Sequence, residues 1–222
     1  MQHPDTYFYS RKFLLLASSL LLLSLPALAQ DVFLKSGINA TTYDFREKGG
    51  QRITNFLPAA GASYELGIDL PFRTFEDSTF LFAKQVKNQV SFTLEELNGI
   101  SGSKTTSYRS ETRFAGLSNR ISVLGVAGPL EIGLTGVFGA STLLSGVETL
   151  NNSVVDLRKA PEFNGLFLRT GLGITTAYLR PNNARFSLTY EYVSQSRLSR
   201  KFDDRLRFLT HNILFGVHLP LN

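Results

Sequence analysis

The sequence predicts an all-β protein: an eight-stranded antiparallel up-and-down barrel that crosses a membrane. Three observations carry this. Apolar and polar residues alternate with a period of two along most of the chain beyond residue 30, the mark of strands. The alternating runs are mostly about 11–16 residues long, where ordinary strands average about 5–6 and membrane-crossing ones need about 9–11. Finally, the chain opens with the features of an export signal. Arg11 and Lys12 precede the apolar run Phe13–Leu23, and Pro26-Ala27-Leu28-Ala29 supplies a small-x-small cleavage pattern before Gln30.

Residues 1–29 are therefore read as a cleaved signal peptide and residues 30–222 as the barrel domain. Removing the signal lowers the net charge of +5 to +4. The absence of Cys excludes a disulfide scaffold, a cysteine nucleophile and a zinc-thiolate site. Three His are too few for a His-rich metal centre. The basic residues are scattered rather than striped, so no nucleic-acid partner is expected. No Gly-rich phosphate cradle, EF-hand loop or HExxH motif is present, and no cofactor, metal site or catalytic residue is assigned.

The strands follow in order. Val32–Tyr43 sets Val32, Leu34, Ile38 and Ala40 against Lys35, Gly37, Asn39 and Thr41. Ala60–Leu70 sets Tyr64, Leu66, Ile68 and Leu70 against Ser63, Glu65, Gly67 and Asp69. Thr79–Leu94 has Phe80, Phe82, Val86, Val90 and Phe92 opposite Ala83, Gln85, Lys87, Gln89 and Ser91. Thr105–Asn119 is the weakest, with Tyr108, Thr112 and Phe114 opposite Arg109, Glu111 and Arg113. Leu130–Ser141 places Leu130, Ile132, Leu134 and Phe138 against Glu131, Gly133, Thr135 and Gly139. Leu166–Tyr178 places Leu168, Leu172 and Ile174 against Arg169, Gly171 and Gly173. Ala184–Val193 alternates Phe186, Leu188, Tyr190 and Tyr192 with Arg185, Ser187, Thr189 and Glu191. Leu206–Leu219 ends the series, with Ile213, Phe215 and Val217 opposite Asn212, Gly216 and His218.

The connections alternate in length. Residues 44–57, 95–104, 144–162 and 195–204 form long loops; 71–78, 120–128 and 179–183 form shorter turns. Outer-membrane barrels show this asymmetry, with long loops outside and tight periplasmic turns. An even strand count returns both termini to the periplasmic side.

Alternation alone fits a soluble barrel as well as a membrane one. The polar face decides. It is rich in glycine, which suits a crowded interior. It also carries both charge signs: Glu65, Asp69, Glu111, Glu131 and Glu191 with Lys35, Lys87, Arg109, Arg113, Arg169 and Arg185. In a narrow lumen these pair, so a lumen charge network of Glu65, Asp69, Lys87, Arg109, Glu111, Arg113, Glu131, Arg169, Arg185 and Glu191 is expected. Lys84 and His211 fall on the apparent lipid face and fit it poorly. Tyr43, Phe72, Tyr108, Tyr178 and Tyr192 are placed to form interfacial aromatic belts in a chain without Trp.

The signal ending Ala27-Leu28-Ala29-Gln30, Lys35-Ser36-Gly37-Ile38-Asn39, Gly61-Ala62-Ser63-Tyr64-Glu65-Leu66-Gly67 and the segment Asn212–Leu219 resemble the PorT-like family of small outer-membrane β-barrels. More broadly the chain resembles OmpA-type eight-stranded barrels. The resemblance implies a Gram-negative outer membrane, folding by the barrel assembly machinery, and architecture rather than activity. The chain departs from many such barrels at its end, Leu219-Pro220-Leu221-Asn222, where a terminal aromatic is usual; Phe215 is the nearest.

Four functions follow as alternatives: a plugged monomeric barrel with a structural or interaction role, a narrow transport pore, a lipid-modifying enzyme, or a soluble periplasmic ligand-binding barrel. An enzyme is not expected. His218 reads as a hydrogen-bonded lumen residue rather than a general base. His211 has Ser199, Asp203 and Asp204 nearby in sequence, but a triad there needs a fortunate register. The outer loops carry Arg46, Lys48, Arg52, Arg158, Lys159, Arg197, Arg200 and Lys201, cations able to meet lipopolysaccharide phosphates. The envelope partner, if there is one, is not specified by these residues.

Overall fold

The computed structural model describes residues 31–46, 52–53, 56–74, 85–101, 108–151, 153–180, 184–197 and 205–221. The signal-peptide residues, Lys84, Phe80, Phe82 and the 181–183 turn lie outside these. Eight long strands make the wall: β1 (Asp31–Arg46), β2 (Phe56–Thr74), β3 (Gln85–Glu96), β4 (Tyr108–Ala127), β5 (Leu130–Leu150), β6 (Leu166–Leu179), β7 (Arg185–Arg197) and β8 (Arg205–Pro220). Each pairs antiparallel with its sequence neighbours, and β1 pairs with both β2 and β8. The ring is therefore closed and leaves no wall strand with an unpaired edge along the barrel.

The register fixes the geometry. Following register partners around the ring from Leu34 leads through Leu66, Phe92, Leu117, Ala140, Leu168, Ser196 and Arg207 back to β1 at Asp44, ten residues above the start. A shear of that size over eight strands tilts them by about 40° and sets a radius of about 8 Å. Such a cylinder has room for side chains and little else.

The side chains are distributed inside out. Leu172, Leu134 and Ile38 are 74%, 69% and 66% exposed, and Leu34, Leu66, Phe92, Ile132, Leu188 and Phe215 share that outer surface. The opposite parity is buried and polar: Lys35, Glu65, Asp69, Glu131, Arg169, Arg185 and Glu191. An apolar belt circling the whole outer wall far exceeds the patches that water-soluble monomers expose. It is the surface of a transmembrane β-barrel, for which lipid is the solvent of the outer face.

Glycine serves the crowded inside. A Cβ on Gly216 would stand 2.5 Å from Ser187 Oγ and 2.9 Å from Lys35 Cγ, and one on Gly67 would stand 2.6 Å from the Phe33 ring. Both spaces are taken by neighbouring lumen side chains.

β4 differs from its expected form. The segment 120–128 is not a turn: β4 continues to Ala127, and only Gly128 and Pro129 form the hairpin turn. Gly128 takes φ +62°, the left-handed conformation that glycine adopts without strain. The parity of β4 is also the reverse of the expected one. Ser110, Thr112, Phe114, Ser118, Arg120 and Ser122 are buried, while Arg109, Glu111 and Arg113 are exposed. Pairing of Phe92 with Leu117 locks this register, because both belong on the lipid side.

The outer loops contain more structure than expected. β4 and β5, with 20 and 21 residues, are twice what a bilayer requires and rise past the lipid belt as a collar. Short strands at Arg52–Ile53, Gly99–Ser101 and Ser153–Asp156 extend it. The last folds back on β5 and leads into two 3₁₀ turns, Leu157–Lys159 and Pro161–Phe163. Asp156 caps the first by accepting from the Arg158 backbone N–H at 3.0 Å. The Arg158 side chain donates to the same carboxylate and holds its pKa down at about 2.

Candidate functional site

The lumen is filled in tiers. At the end carrying the termini, Arg185 pairs with Asp69 and lies 3.6 Å from both Asp31 and Glu131. Lys87 donates to both Glu131 oxygens at 2.9 Å. Lys35 donates to Gln89 at 2.8 Å, and Gln89 in turn donates to Asp69 at 2.7 Å. β1 and β3 each supply two members and β2, β5 and β7 one, so the cluster ties together five strands of the ring.

The middle tier centres on Arg120. It is fully buried, clamps Glu191 with Nε and Nη2 at 2.5 and 2.9 Å, pairs with Glu65, and reaches Ser91 Oγ at 3.2 Å. Above it Arg169 donates to Glu95 at 2.7 Å and Thr93 at 2.8 Å, and Gln195 donates to the other Glu95 oxygen at 2.6 Å. These three tiers hold six carboxylates (Asp31, Glu65, Asp69, Glu95, Glu131, Glu191) and five cations (Lys35, Lys87, Arg120, Arg169, Arg185), a near balance. The balance matters: a buried charge is tolerated when paired and hydrogen-bonded and costs several kcal/mol when it is not.

The outward end of the lumen is apolar. Tyr43, Leu97, Phe114, Leu157, Phe163, Phe167, Leu206 and Phe208 form one buried cluster. Phe208 sits among Tyr43, Phe114 and Phe167 with ring centroids 4.8, 5.2 and 5.7 Å away. Leu157 and Phe163 come from the 3₁₀ turns, so the collar loop folds into the mouth and caps it. Tyr43, expected in an interfacial belt, instead points inward; its hydroxyl donates to Leu97 O and accepts from Ser110, both at 2.8 Å. Tyr108 packs edge-on against Phe56 at 5.1 Å, half-buried beside the cap. Tyr178 and Tyr192 do lie outward, 46% and 40% exposed. The Phe72 side chain lies outside the described residues.

Of the residues expected in the charge network, the structure brings Glu65, Asp69, Lys87, Glu131, Arg169, Arg185 and Glu191 together inside. Arg109, Glu111 and Arg113 are not among them. Arg109 pairs with Glu111 at 2.7 Å and Arg113 with Glu96 at 3.2 Å, all on the outer face of the collar. They stand above the lipid belt, where water accepts outward charge. Arg120 and Glu95, which the sequence pattern places in a turn and a loop, are members of the network. His211 faces out, as expected from its parity, and is accommodated there by a 2.8 Å hydrogen bond between its Nδ1 and Tyr190 OH and by packing on Tyr192 at 4.9 Å.

One arrangement invites a chemical reading. His218 Nδ1 is 3.1 Å from Asp69 Oδ2, and its Nε2 is 3.0 Å from Ser187 Oγ. These are the distances of a Ser-His-Asp relay. Two features argue for a structural role. Arg185 Nη2 lies 2.8 Å from the same Nδ1, and a guanidinium can only donate. Arg185 and Asp69 therefore prescribe opposite tautomers at Nδ1, and the carboxylate does not hold that nitrogen alone, as a relay requires. Space is also lacking: the cavity beside this cluster measures about 20 Å³, room for about one water. Ser187→Ala is therefore expected to cost about 1 kcal/mol of stability and to leave membrane lipid composition unchanged. Altered lipid in the variant strain, read by mass spectrometry, would favour chemistry at this serine.

The same cluster bears on metal binding. Asp31, Asp69 and His218 bring three ligand atoms within 4.8 Å of one another, but the Arg185 guanidinium already stands among them as the cation.

The fold and this site define the class: a transmembrane β-barrel with a filled, ion-paired lumen and an aromatic cap. No protein-family model matches the sequence, so the PorT-like resemblance gains no support from one, and no curated protein matches it either. Among solved structures the chain is similar to Neisserial surface protein A (11% identity, 86% of this chain and 97% of that one, TM-score 0.46). It is also similar to the outer membrane protease OmpT from Escherichia coli (7%, 87% and 97%, TM-score 0.46). A third likeness is to the outer membrane enzyme PagL (9%, 81% and 97%, TM-score 0.43). These likenesses are too distant to bear on what the chain does.

Proposed function

We propose that this protein is a closed barrel of a Gram-negative outer membrane that acts through its outer surface, in a structural or interaction role, rather than by conduction or catalysis. The observation that carries the reading is the filling of the lumen: three ion-pair tiers topped by an aromatic cap. In this reading the signal is cleaved before Gln30, the assembly machinery inserts the barrel, and both termini lie in the periplasm. The PorT-like resemblance is consistent with it. The collar and its loops face the lipopolysaccharide layer, and Arg158, 61% exposed at its side chain, is one cation able to meet phosphate there.

The test is a planar-bilayer measurement on the purified protein. No steady single-channel current is expected. The network version of the same experiment uses Glu131→Ala, which removes the carboxylate paired with Lys87 and one of the two longer contacts of Arg185. It is expected to lower stability by about 1–3 kcal/mol without opening a conductance. Large, stable currents from the wild type would replace this reading with a transport pore.

A further inference from the structure

Two polar side chains of β8, Arg207 and His211, share outward parity and are both exposed. Register gives their height. Partners run from Phe114 through Glu95, Ser63 and Gly37 to Leu214. On the tilted wall each such step descends about 3 Å, and each residue along a strand spans about 2.5 Å of height. Arg207 therefore stands within about 3 Å of the height of Arg113 in the collar, and His211 about 7 Å lower. Below His211 on the same strand come outward Ile213 and Phe215, 48% and 54% exposed. The pair thus marks the top of the lipid belt.

Arg207 is placed unusually for a rim cation, which ordinarily extends toward water. Its Nε donates to Ser194 Oγ at 2.6 Å, and Ser194 stands opposite Leu209, two residues nearer the lipid. The guanidinium is thereby drawn down along the wall. Among the described residues Nη1 and Nη2 have no hydrogen-bond partner, and Asp44, opposite Arg207 in the register, makes no ion pair with it. His211 is fixed through Nδ1 by Tyr190, which leaves Nε2 without a partner among the described residues. Next to it the wall is low, because Ala40 stands opposite both His211 and Ala60.

We propose that this rim binds the phosphorylated headgroup of an outer-leaflet glycolipid, with Arg207 and His211 on the phosphate and the acyl chains along Ile213 and Phe215. The occupant follows from place and charge. At this height headgroup meets acyl chain, so a molecule lying against the wall here is an amphiphile. A guanidinium fork with its two outer nitrogens open matches phosphate oxygens. The inference deepens the surface role proposed above and rests on the membrane placement of the barrel.

The test is lipid capture by the purified, detergent-solubilised barrel, read by native mass spectrometry, with each sample first shown to be folded by its heat-dependent gel shift. The wild type is expected to retain one bisphosphorylated lipid A and to bind the dephosphorylated form at least tenfold more weakly. Arg207→Gln combined with His211→Gln should lower capture of the bisphosphorylated form by a similar factor. Arg109→Gln, an exposed arginine on β4 across the barrel, should leave it unchanged. Equal capture of the two lipids by the wild type would overturn the proposal without recourse to any variant. Unchanged capture by the double variant, or an equal loss in Arg109→Gln, would overturn it too. Displacement of the lipid by millimolar inorganic phosphate would mean a free-anion site instead. A steady current in the planar-bilayer measurement would replace the surface role and leave the lipid result to be read independently.

Discussion

Arg120→Met is expected to lower the stability of the barrel by roughly 3–5 kcal/mol. The methionine fills much of the same volume, so the loss is electrostatic. Glu65 and Glu191 have side-chain exposures of 1% and 0%, and removal of the guanidinium leaves two carboxylates facing each other with no cation between them. Urea titration of the protein refolded into lipid vesicles, followed by the gel shift between folded and unfolded forms, measures the effect. A compensated triple variant sharpens it. Glu65→Gln and Glu191→Gln added to Arg120→Met remove the stranded charge and should recover most of the loss. If Arg120→Met alone unfolds at the wild-type urea concentration, the ion-pair tier does not hold the lumen together.

Leu188→Arg is expected to cost about 2–4 kcal/mol, the penalty for a cation well inside the lipid belt. Leu188 is 52% exposed and lies between outward Phe186 and Tyr190, while Thr189 next to it is fully buried. In water an exposed Leu→Arg change is close to neutral, so the sign of this result separates lipid from solvent at the outer wall. The same vesicle titration reads it. A lipid-bound quencher tests the geometry directly: a fluorescent label at 188 should be quenched and one at 189 should not. Equal quenching at both positions, together with a neutral Leu188→Arg, would mean that the apolar belt does not face lipid.

The strands were legible because a barrel wall has only two faces and each residue must choose one. Seven of the strands show their correct parity in the sequence alone, from Leu34 and Lys35 in β1 to Phe215 and Gly216 in β8. The fourth was misread because its charges mislead. Arg109, Glu111 and Arg113 look like lumen residues, yet they belong to a stretch above the membrane where outward charge is free to hydrate. The lumen arginine of that strand, Arg120, lies beyond it among Ser118, Asn119, Ser122 and Gly125, a composition that reads as a turn. Sequence alternation identifies parity and carries no height, and height decides whether an outward charge is tolerated.

The aromatic cap has a similar cause, and its signal was present. Phe167 is two residues from Arg169, Phe208 two from Thr210, and Tyr43 two from Thr41. Each large ring thus shares parity with a polar lumen residue at the outward end of its strand, which points it inside. The length of the chain, the alternation of its side chains and the even number of runs were enough to determine a closed eight-stranded wall with its apolar face outward. Which charges meet and that the 157–163 turn folds into the mouth were decided only by the register of ten. Ion pairs and caps depend on which residue stands across from which, and that follows from the closure of the ring rather than from any one strand.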